Sequence, residues 1–330
     1  MLVVLSPAKT LTIDAISTNA AKATPRFAAQ ADALVASALA KLSPAALAKL
    51  CEVSPALGQL NHARFQAWNS PENPRAAAAL AFDGPAFKAL GARAMGPGPL
   101  AKADERVRCL SGLYGLLRPT DAIQPYRLCM GTKLGAPTKD LYSFWGRKVA
   151  QALDADLDDE EVRASGSSGG SGSRVVVNAA SQEYWKVVEG KLREGTRVVS
   201  VSFPGAPAVY AKQARGAVAR FVAERGLESP EGLKDFSGGG CEGSWSFDAA
   251  ASSEDNFVFR RSAGKAAAVV SKAAAGVKKE VKREKEEEKG GAATKATARG
   301  GNKRSAAAAA SSVPAVETEP SKRVRAAIRK

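Results

Sequence analysis

The sequence predicts an α/β fold, with a mixed, partly parallel sheet and surrounding helices. Four short apolar runs are typical of buried strands, at 2–5, 175–177, 198–203 and 257–259. Longer segments with apolar residues at helical spacing lie between them. Strands that alternate with helices favour parallel pairing, because a parallel connection needs room for a crossover helix.

Helices are predicted from spacing and end signals. The predicted ranges are 26–41, 44–51, 55–68, about 105–117, about 140–153 and 209–225. Ser43-Pro44 and Ser54-Pro55 each offer a capping serine before a proline at the first helical position. In the range 105–117, apolar residues fall on one helical face, although Gly112 and Gly115 are poor helix formers.

The two Ser-Pro helices have the outline of a helix-hairpin-helix-like element. Such a unit binds DNA by presenting backbone N–H groups of its second helix to a phosphate. The candidate DNA contacts on this element are Ser54, Asn61, His62 and Arg64. The connection lacks the usual glycine-rich turn, so an ordinary helical corner remains an alternative.

Two segments are predicted to lie outside the packed core. An acidic run and a Ser/Gly stretch at about 154–173 are typical of a flexible surface insertion. Residues 262–330 lack aromatic residues and are rich in Lys, Glu, Ala and Gly, which predicts a disordered basic tail after a domain at 1–261.

The positive charge is concentrated in that tail. The chain has 48 Lys+Arg and 33 Asp+Glu, a net charge of +15, and 262–330 carries 17 and 7 of these, a net of +10. Clustered Lys and Arg are typical of nuclear import signals or nucleic-acid patches, so a nuclear location is one alternative. The charge of the whole chain favours polyanionic partners such as DNA.

Several function classes are disfavoured. Four scattered cysteines and one histidine exclude a zinc finger and make a disulfide-stapled secreted domain improbable, which favours the cytoplasm and predicts no metal site. No apolar run approaches the roughly 20 residues of a membrane span. Common nucleotide and hydrolase motifs are absent, so no cofactor is predicted. The sequence does not specify an oligomeric state.

Polar and basic residues follow three of the predicted strands. Ligands of open α/β sheets bind beyond the carboxyl ends of the strands, so these residues are expected to line one cleft for DNA or a small anion. The candidates there are Ser6, Lys9, Asn178, Ser181, Lys212 and Arg215, with Arg118 and Arg127 as further bases. The alternative is that the polar residues only cap turns and helices while the bases are solvated.

Six segments together resemble the YaaA peroxide stress resistance family, also described as UPF0246-type proteins. They are 6–11 (SPAKTL), 60–68, 110–130 (LSGLYGLLRPTDAIQPYRLCM), 140–146 (DLYSFWG), 178–184 (NAASQEY) and 210–216 (YAKQARG), in the order of the family. The resemblance covers essentially all of 1–261. It differs at Cys129, where the family has a glutamate, and at Gln213, where it has a lysine.

The resemblance implies a peroxide stress protein with a DNA-binding α/β fold, a helix-hairpin-helix-like element and a basic cleft. It also implies that the protein limits free iron and so protects DNA from oxidative damage. The scattered cysteines and lone histidine are poor iron ligands, so we expect any effect on iron to be indirect. An enzyme acting on a nucleobase, nucleotide or small anion in the same cleft remains the alternative, and the sequence does not decide whether there is catalysis.

Overall fold

A seven-stranded sheet with helices packed around it forms the centre of the protein. The computed structural model describes residues 1–135, 139–168, 174–239 and 241–262. The strands are β1 (Leu2–Leu5), β2 (Ala76–Ala77), β3 (Val107–Ser111), β4 (Gly115–Leu117), β5 (Ala122–Ile123), β6 (Val175–Ala179), β7 (Arg197–Ser202), β8 (Ser244–Phe247) and β9 (Asn256–Ser262). The order in the large sheet is β4-β3-β1-β6-β7-β9-β8, and β2 and β5 form a small second sheet.

The inner strands β3, β1, β6, β7 and β9 run parallel, while β4 and β8 at the two edges are antiparallel to their neighbours. β1, β3 and β6 are buried along their whole length, which explains why the sequence shows continuous apolar runs in β1 and β6 rather than alternation. The predicted mixed α/β fold is confirmed.

The helices surround this sheet. They are α1 (Ala15–Asn19), α2 (Ala28–Ser37), α3 (Pro44–Leu50), α4 (Pro55–Gln66), α5 (Ala78–Ala81), α6 (Pro85–Leu90), α7 (Pro97–Arg106), α8 (Leu141–Trp145), α9 (Lys148–Ser168), α10 (Gln182–Trp185) and α11 (Ala208–Arg225). Short 3₁₀ turns lie at Leu39–Lys41, Ala92–Ala94 and Pro230–Asp235. In the described ranges no single helix is long and apolar enough to cross a membrane. Two consecutive helical segments, Ala28–Lys41 and Pro44–Leu50, meet that criterion when they are counted together, by length and composition only, and they are bent by 118° relative to each other.

The serine caps predicted for α3 and α4 are present. Ser43 Oγ accepts the Ala46 N–H at 3.2 Å, and Ser54 Oγ accepts the Leu57 N–H at 3.4 Å. Gly58 permits the close crossing of the two helices, because a Cβ there would lie 2.5 Å from the Pro44 carbonyl oxygen. The identification of this corner as a helix-hairpin-helix-like element is not confirmed and stays a prediction.

The helix predicted at about 105–117 is wrong. That segment forms β3, a turn and β4, with Gly115 at φ 67°. The error has a physical cause: β3 is buried on both faces, so its apolar residues show no two-residue alternation and also fit a helical face. Gly112 and Gly115, which disfavoured a helix, lie at the turn and at its exit.

The flexible insertion predicted at about 154–173 is also wrong for its first part, because α9 continues through residue 168. Asp154, Asp156 and Glu160 are buried, at 8%, 1% and 6% exposure. The acidic run therefore forms an inward face of the helix that pairs with arginines. Residues 169–173, and 263–330 of the predicted tail, lie outside the described residues, so the boundary near 261 stays a prediction.

Candidate functional site

Two parallel strands end side by side and bring the predicted loops together. Leu5 at the end of β1 is in register with Ala179 at the end of β6. Beyond them, Ser6 Oγ accepts the Ser181 N–H at 2.8 Å and lies 3.2 Å from the Ser181 hydroxyl oxygen. These serines hold the loop that carries Lys9 against the start of α10.

Helix α11 supplies two more bases to this place. Gly216 lets α11 cross α6 closely, because a Cβ at this position would lie 1.8 Å from the Ala86 carbonyl oxygen. Lys212 lies about one turn before Gly216, and Arg215 directly precedes it. The close crossing therefore fixes both bases beside the loop from β1.

The cleft between these elements, which we term the strand-end cleft, has a volume of about 380 Å³. It is lined by 5–10, 83–87, Ala179, Ser181, Glu183, Tyr184, Lys212 and Arg215. Its carboxylates are engaged: Asp83 pairs with Lys88 at 3.1 Å, and Glu183 accepts the Gly131 N–H at 3.1 Å.

The bases of the strand-end cleft have no such partners. Among the described residues, Lys9, Lys212 and Arg215 form no ion pair with a carboxylate. Arg215 Nε is buried and has no hydrogen-bond partner in that part of the chain, and burial lowers the pKa of its guanidinium. An unpaired buried donor costs free energy, so this cleft is suited to an anion.

A second cleft adjoins the first and reaches α3; we term it the helix-side cleft. Its volume is about 690 Å³, and it shares Lys9 and Glu183 with the strand-end cleft. It is also lined by Leu42, Ala46, Lys49, Leu50, Cys51, Glu52, Arg127, Cys129 and 131–134. We call the two together the basic groove. It has six basic side chains, Lys9, Lys49, Arg127, Lys133, Lys212 and Arg215, and three acidic ones, Glu52, Asp83 and Glu183.

Arg127 lines the helix-side cleft and is bonded to the loop that both clefts share. Its Nη1 donates to the Lys9 carbonyl oxygen at 2.8 Å, while its Nε is buried with no hydrogen-bond partner among the described residues. The Arg127 guanidinium therefore holds the Lys9 loop through one nitrogen, and its Nε is left as a donor for a ligand.

Arg118 does not lie in the groove. Because β4 is antiparallel to β3, its carboxyl end leads away from the ends of β1 and β6. Arg118 instead pairs with Asp156 at 2.9 Å, beside a separate cavity of about 320 Å³ that Arg26 and Arg108 also line. The prediction that Arg118 is a further base of the cleft is therefore not met by its position in the structure.

Asn178 has a local structural role. Its Oδ1 accepts the Ala180 N–H at 3.0 Å and its Nδ2 donates to Ser200 Oγ at 3.3 Å, and the residue is 9% exposed. It shapes the turn after β6 and does not line the groove. The turn-residue alternative therefore describes Asn178 correctly.

The candidate contacts on α4 point mainly inward. Asn61 is 1% exposed and its amide donates to the Leu57 carbonyl oxygen at 2.8 Å. His62 Nδ1 lies 2.9 Å from the Leu42 carbonyl oxygen, and Arg64 Nη1 donates to Asn61 Oδ1 at 3.5 Å. Burial lowers the pKa of Arg64. Ser54 is the helix cap, and none of these four residues lines either cleft.

Sequence reasoning missed two parts of the groove wall. Residues 84–87 at the start of α6 form one side, and Lys49 of α3 extends the basic surface. Gly84-Pro85 after the buried Phe82 is a helix-start signal that could have indicated the first. Among the residues that the structure describes, no group of three or more His, Cys, Asp and Glu side chains could hold a metal ion.

Comparisons with known proteins identify the family. The family model for peroxide stress protein YaaA matches residues 1–248. UPF0246 proteins of Burkholderia mallei (strain SAVP1) and Burkholderia thailandensis are each 43% identical to this chain over 271 residues, covering 79% of it and 98% of their own length. One from Burkholderia pseudomallei (strain 668) is 42% identical over the same length. The chain belongs to the peroxide stress protein YaaA family.

Proposed function

We propose that this peroxide stress protein binds duplex DNA in its basic groove, through the phosphate backbone and with little sequence preference. The observation that carries the proposal is the continuity of the two clefts, which places six bases and three acids along one surface. Two of the acids are engaged by Lys88 and the Gly131 N–H, so the groove presents mainly cations. Phosphate contacts position a protein on DNA without reading its bases.

The biological consequence follows from the family. A protein that covers DNA during peroxide stress would limit damage by iron-generated radicals, without needing an iron site of its own. The test compares deletion and parent cells under hydrogen peroxide. We expect lower survival of the deletion strain, and equal survival of the two strains would contradict the protective role. The resemblance to the family also implies an indirect restraint on free iron, so chelatable iron, measured separately, should be higher in the deletion strain.

The binding test is the salt dependence of affinity for a duplex. Each neutralised phosphate contributes about −0.9 to the slope of log K against log salt concentration. If the groove neutralises about four to five phosphates, it contributes about −4 to that slope. The double variant Lys212→Ala, Arg215→Ala in the full chain should flatten the slope by about 2.

The matched control removes two charges elsewhere. Lys102 on α7 and Arg225 at the end of α11 are exposed and line neither cleft. The double variant Lys102→Ala, Arg225→Ala should retain the wild-type slope. If both double variants flatten the slope equally, DNA binding depends on net charge alone and the groove has no special role.

A small anion in the strand-end cleft is the second candidate. The buried Arg215 Nε favours it, because this donor has no hydrogen-bond partner in the part of the chain that the structure describes. A volume of about 380 Å³ lies within the range of small-molecule sites. Calorimetric titration with inorganic phosphate and with a nucleoside monophosphate tests it. Saturable binding that Arg215→Ala abolishes, and that DNA does not displace, would favour an enzyme or ligand-binding role over DNA binding.

A further inference from the structure

Two cysteines lie in the wall of the helix-side cleft. Cys51 follows α3 and is 6% exposed, and its thiol donates to the Arg127 carbonyl oxygen at 3.3 Å. Cys129 is two residues beyond Arg127 and half-buried, and both cysteines line the same cleft. The sulfur of Cys51 therefore rests on the backbone of the segment that carries Cys129.

The electrostatics of the two thiols agree with this closeness. Burial is the main cause that raises the pKa of Cys51 to about 11; charge on Cys129 adds to the rise, and Arg127 opposes it. Interactions between charges weaken with distance, so this contribution agrees with the placement of both cysteines in the wall of one cleft. Cys129 also contributes to the raised pKa of Tyr184, a residue of the adjoining strand-end cleft.

The other two cysteines have different surroundings. Cys109 lies within β3, 4% exposed, and its thiol donates to the Leu110 carbonyl oxygen. Cys241 donates to the Gly238 carbonyl oxygen beside β8. Neither lines the groove, so they serve as internal controls for any reaction of the first pair.

We propose that Cys51 and Cys129 form an intramolecular disulfide when the protein meets hydrogen peroxide. This modification site is independent of the proposed DNA binding. Cys129 is the thiol that peroxide oxidises first, because it is the more accessible of the two. Its thiolate bonds to one peroxide oxygen, the O–O bond breaks and hydroxide takes up a proton, which gives a sulfenic acid and water.

The second step closes the bond. The Cys51 sulfur attacks the Cys129 sulfur, the S–O bond breaks, and the hydroxyl leaves as water with the Cys51 proton. In sum, two thiols are oxidised and one hydrogen peroxide is reduced to two water molecules. The disulfide would fasten the end of α3 to the segment that carries Arg127, across one wall of the groove.

The primary test uses the full-length, reduced wild-type chain, exposed briefly to a few equivalents of hydrogen peroxide. Free thiols are then blocked, and the digest is analysed without reduction by mass spectrometry. We expect a Cys51–Cys129 peptide in the monomer and a fall in free thiols from four to two. Sulfinic acid on Cys129 with no linked peptide would overturn the proposal, as would linkage only between chains.

Single variants test the order of the steps. In Cys51→Ser, the sulfenic acid on Cys129 should persist and be trapped by dimedone. In Cys129→Ser, the loss of thiols should slow by at least tenfold. Cys109→Ser and Cys241→Ser should form the disulfide at the wild-type rate. A disulfide that disappears in either of the latter variants, with the fold intact by circular dichroism, would show a different pairing and contradict the proposal.

Discussion

Arginines in two regions of this protein have opposite electrostatic surroundings. Near the start of β3, the guanidiniums of Arg26, Arg108 and Arg118 converge on the carboxylate of Asp156, at 2.6, 2.6 and 2.9 Å. We call this the paired arginine cluster. In the basic groove, by contrast, the Nε of Arg215 is buried without any hydrogen-bond partner among the described residues.

The difference shows that arginine can serve either stability or function, depending on whether a carboxylate of the protein neutralises it. The paired arginine cluster fastens α9 to the sheet, and its charges compensate one another. In the groove, Arg127 Nε and Arg215 Nε are buried without a partner from the described part of the chain, which is costly for folding and useful only if an anion binds. A count of basic residues cannot distinguish the paired arginine cluster from the basic groove. The positions of the neighbouring carboxylates distinguish them.

The largest effect is expected when Asp156 loses its charge. Asp156→Asn should lower the free energy of unfolding by about 3–5 kcal/mol, because it leaves the buried guanidinium of Arg108 without a compensating charge. Urea denaturation monitored by circular dichroism measures this. Asp158, an exposed partner of Arg174 and Arg193, is the matched control, and Asp158→Asn should cost less than about 1 kcal/mol.

The same variant has a signature in pH. Burial alone would raise the pKa of Asp156, but attraction and hydrogen bonds from Arg108, with help from Arg26 and Arg118, lower it overall. A lowered folded pKa gives stability that is present above the unfolded value of about 4 and lost as the pH falls below it. Asp156→Asn should therefore lose stability less steeply in acid than the wild type. An equal acid slope would show that the cluster does not depend on this charge.

The crossing of α11 and α6 connects packing to the groove. Gly216→Ala places a Cβ against the Ala86 carbonyl oxygen and should cost about 1–3 kcal/mol, and it should also weaken DNA binding by displacing Lys212 and Arg215. Gly96→Ala is the control, since its Cβ would meet nothing within 4 Å, and it should cost less than about 1 kcal/mol. Equal stability of the two variants would contradict the close crossing.

Asp121 lies beside the paired arginine cluster, and removing its charge should raise the free energy of unfolding, whereas removing the charge of Asp156 lowers it. Burial raises its pKa to about 6, although the Arg118 N–H it accepts and the charges of Arg118 and Arg108 lower it. A folded pKa above the unfolded value means that ionisation costs stability as the pH rises from about 4 through 6. Asp121→Asn keeps an acceptor for the Arg118 N–H and should gain about 1 kcal/mol at pH 7.5 and almost nothing at pH 4.

Asp140 provides the comparison for this prediction. It caps α8, and its bond to the Ser143 N–H lowers its pKa. Asp140→Asn should leave stability nearly unchanged at both pH values, because Asn caps helices about as well as Asp. If Asp121→Asn also leaves stability unchanged at both pH values, burial of the Asp121 carboxylate does not cost stability, and the prediction is wrong.

The sequence predicted the sheet core and the strand-end cleft because both depend on local signals. Apolar runs defined β1, β6 and β7, and polar residues after them marked Ser6, Lys9 and Ser181. What failed depended on distant partners. The acidic run of α9 is typical of an exposed segment until Arg108 and Arg174 neutralise it, and Arg118 could be placed only once β4 was known to be antiparallel.

The smallest and most decisive difference concerns Arg215 itself. Arg215→Met keeps the apolar stem but removes a buried donor that has no partner within the described ranges, so it should raise the free energy of unfolding by about 0.5 kcal/mol. Arg118→Met removes a half-exposed partner of Asp156 and should lower that energy by about 0.5–1 kcal/mol. Paired urea titrations of both variants measure the difference, and salt titrations of a DNA duplex should show weaker binding only for Arg215→Met. If Arg215→Met is instead destabilised as much as Arg118→Met, Arg215 is held by the fold in the same way, and the contrast between groove and cluster does not exist.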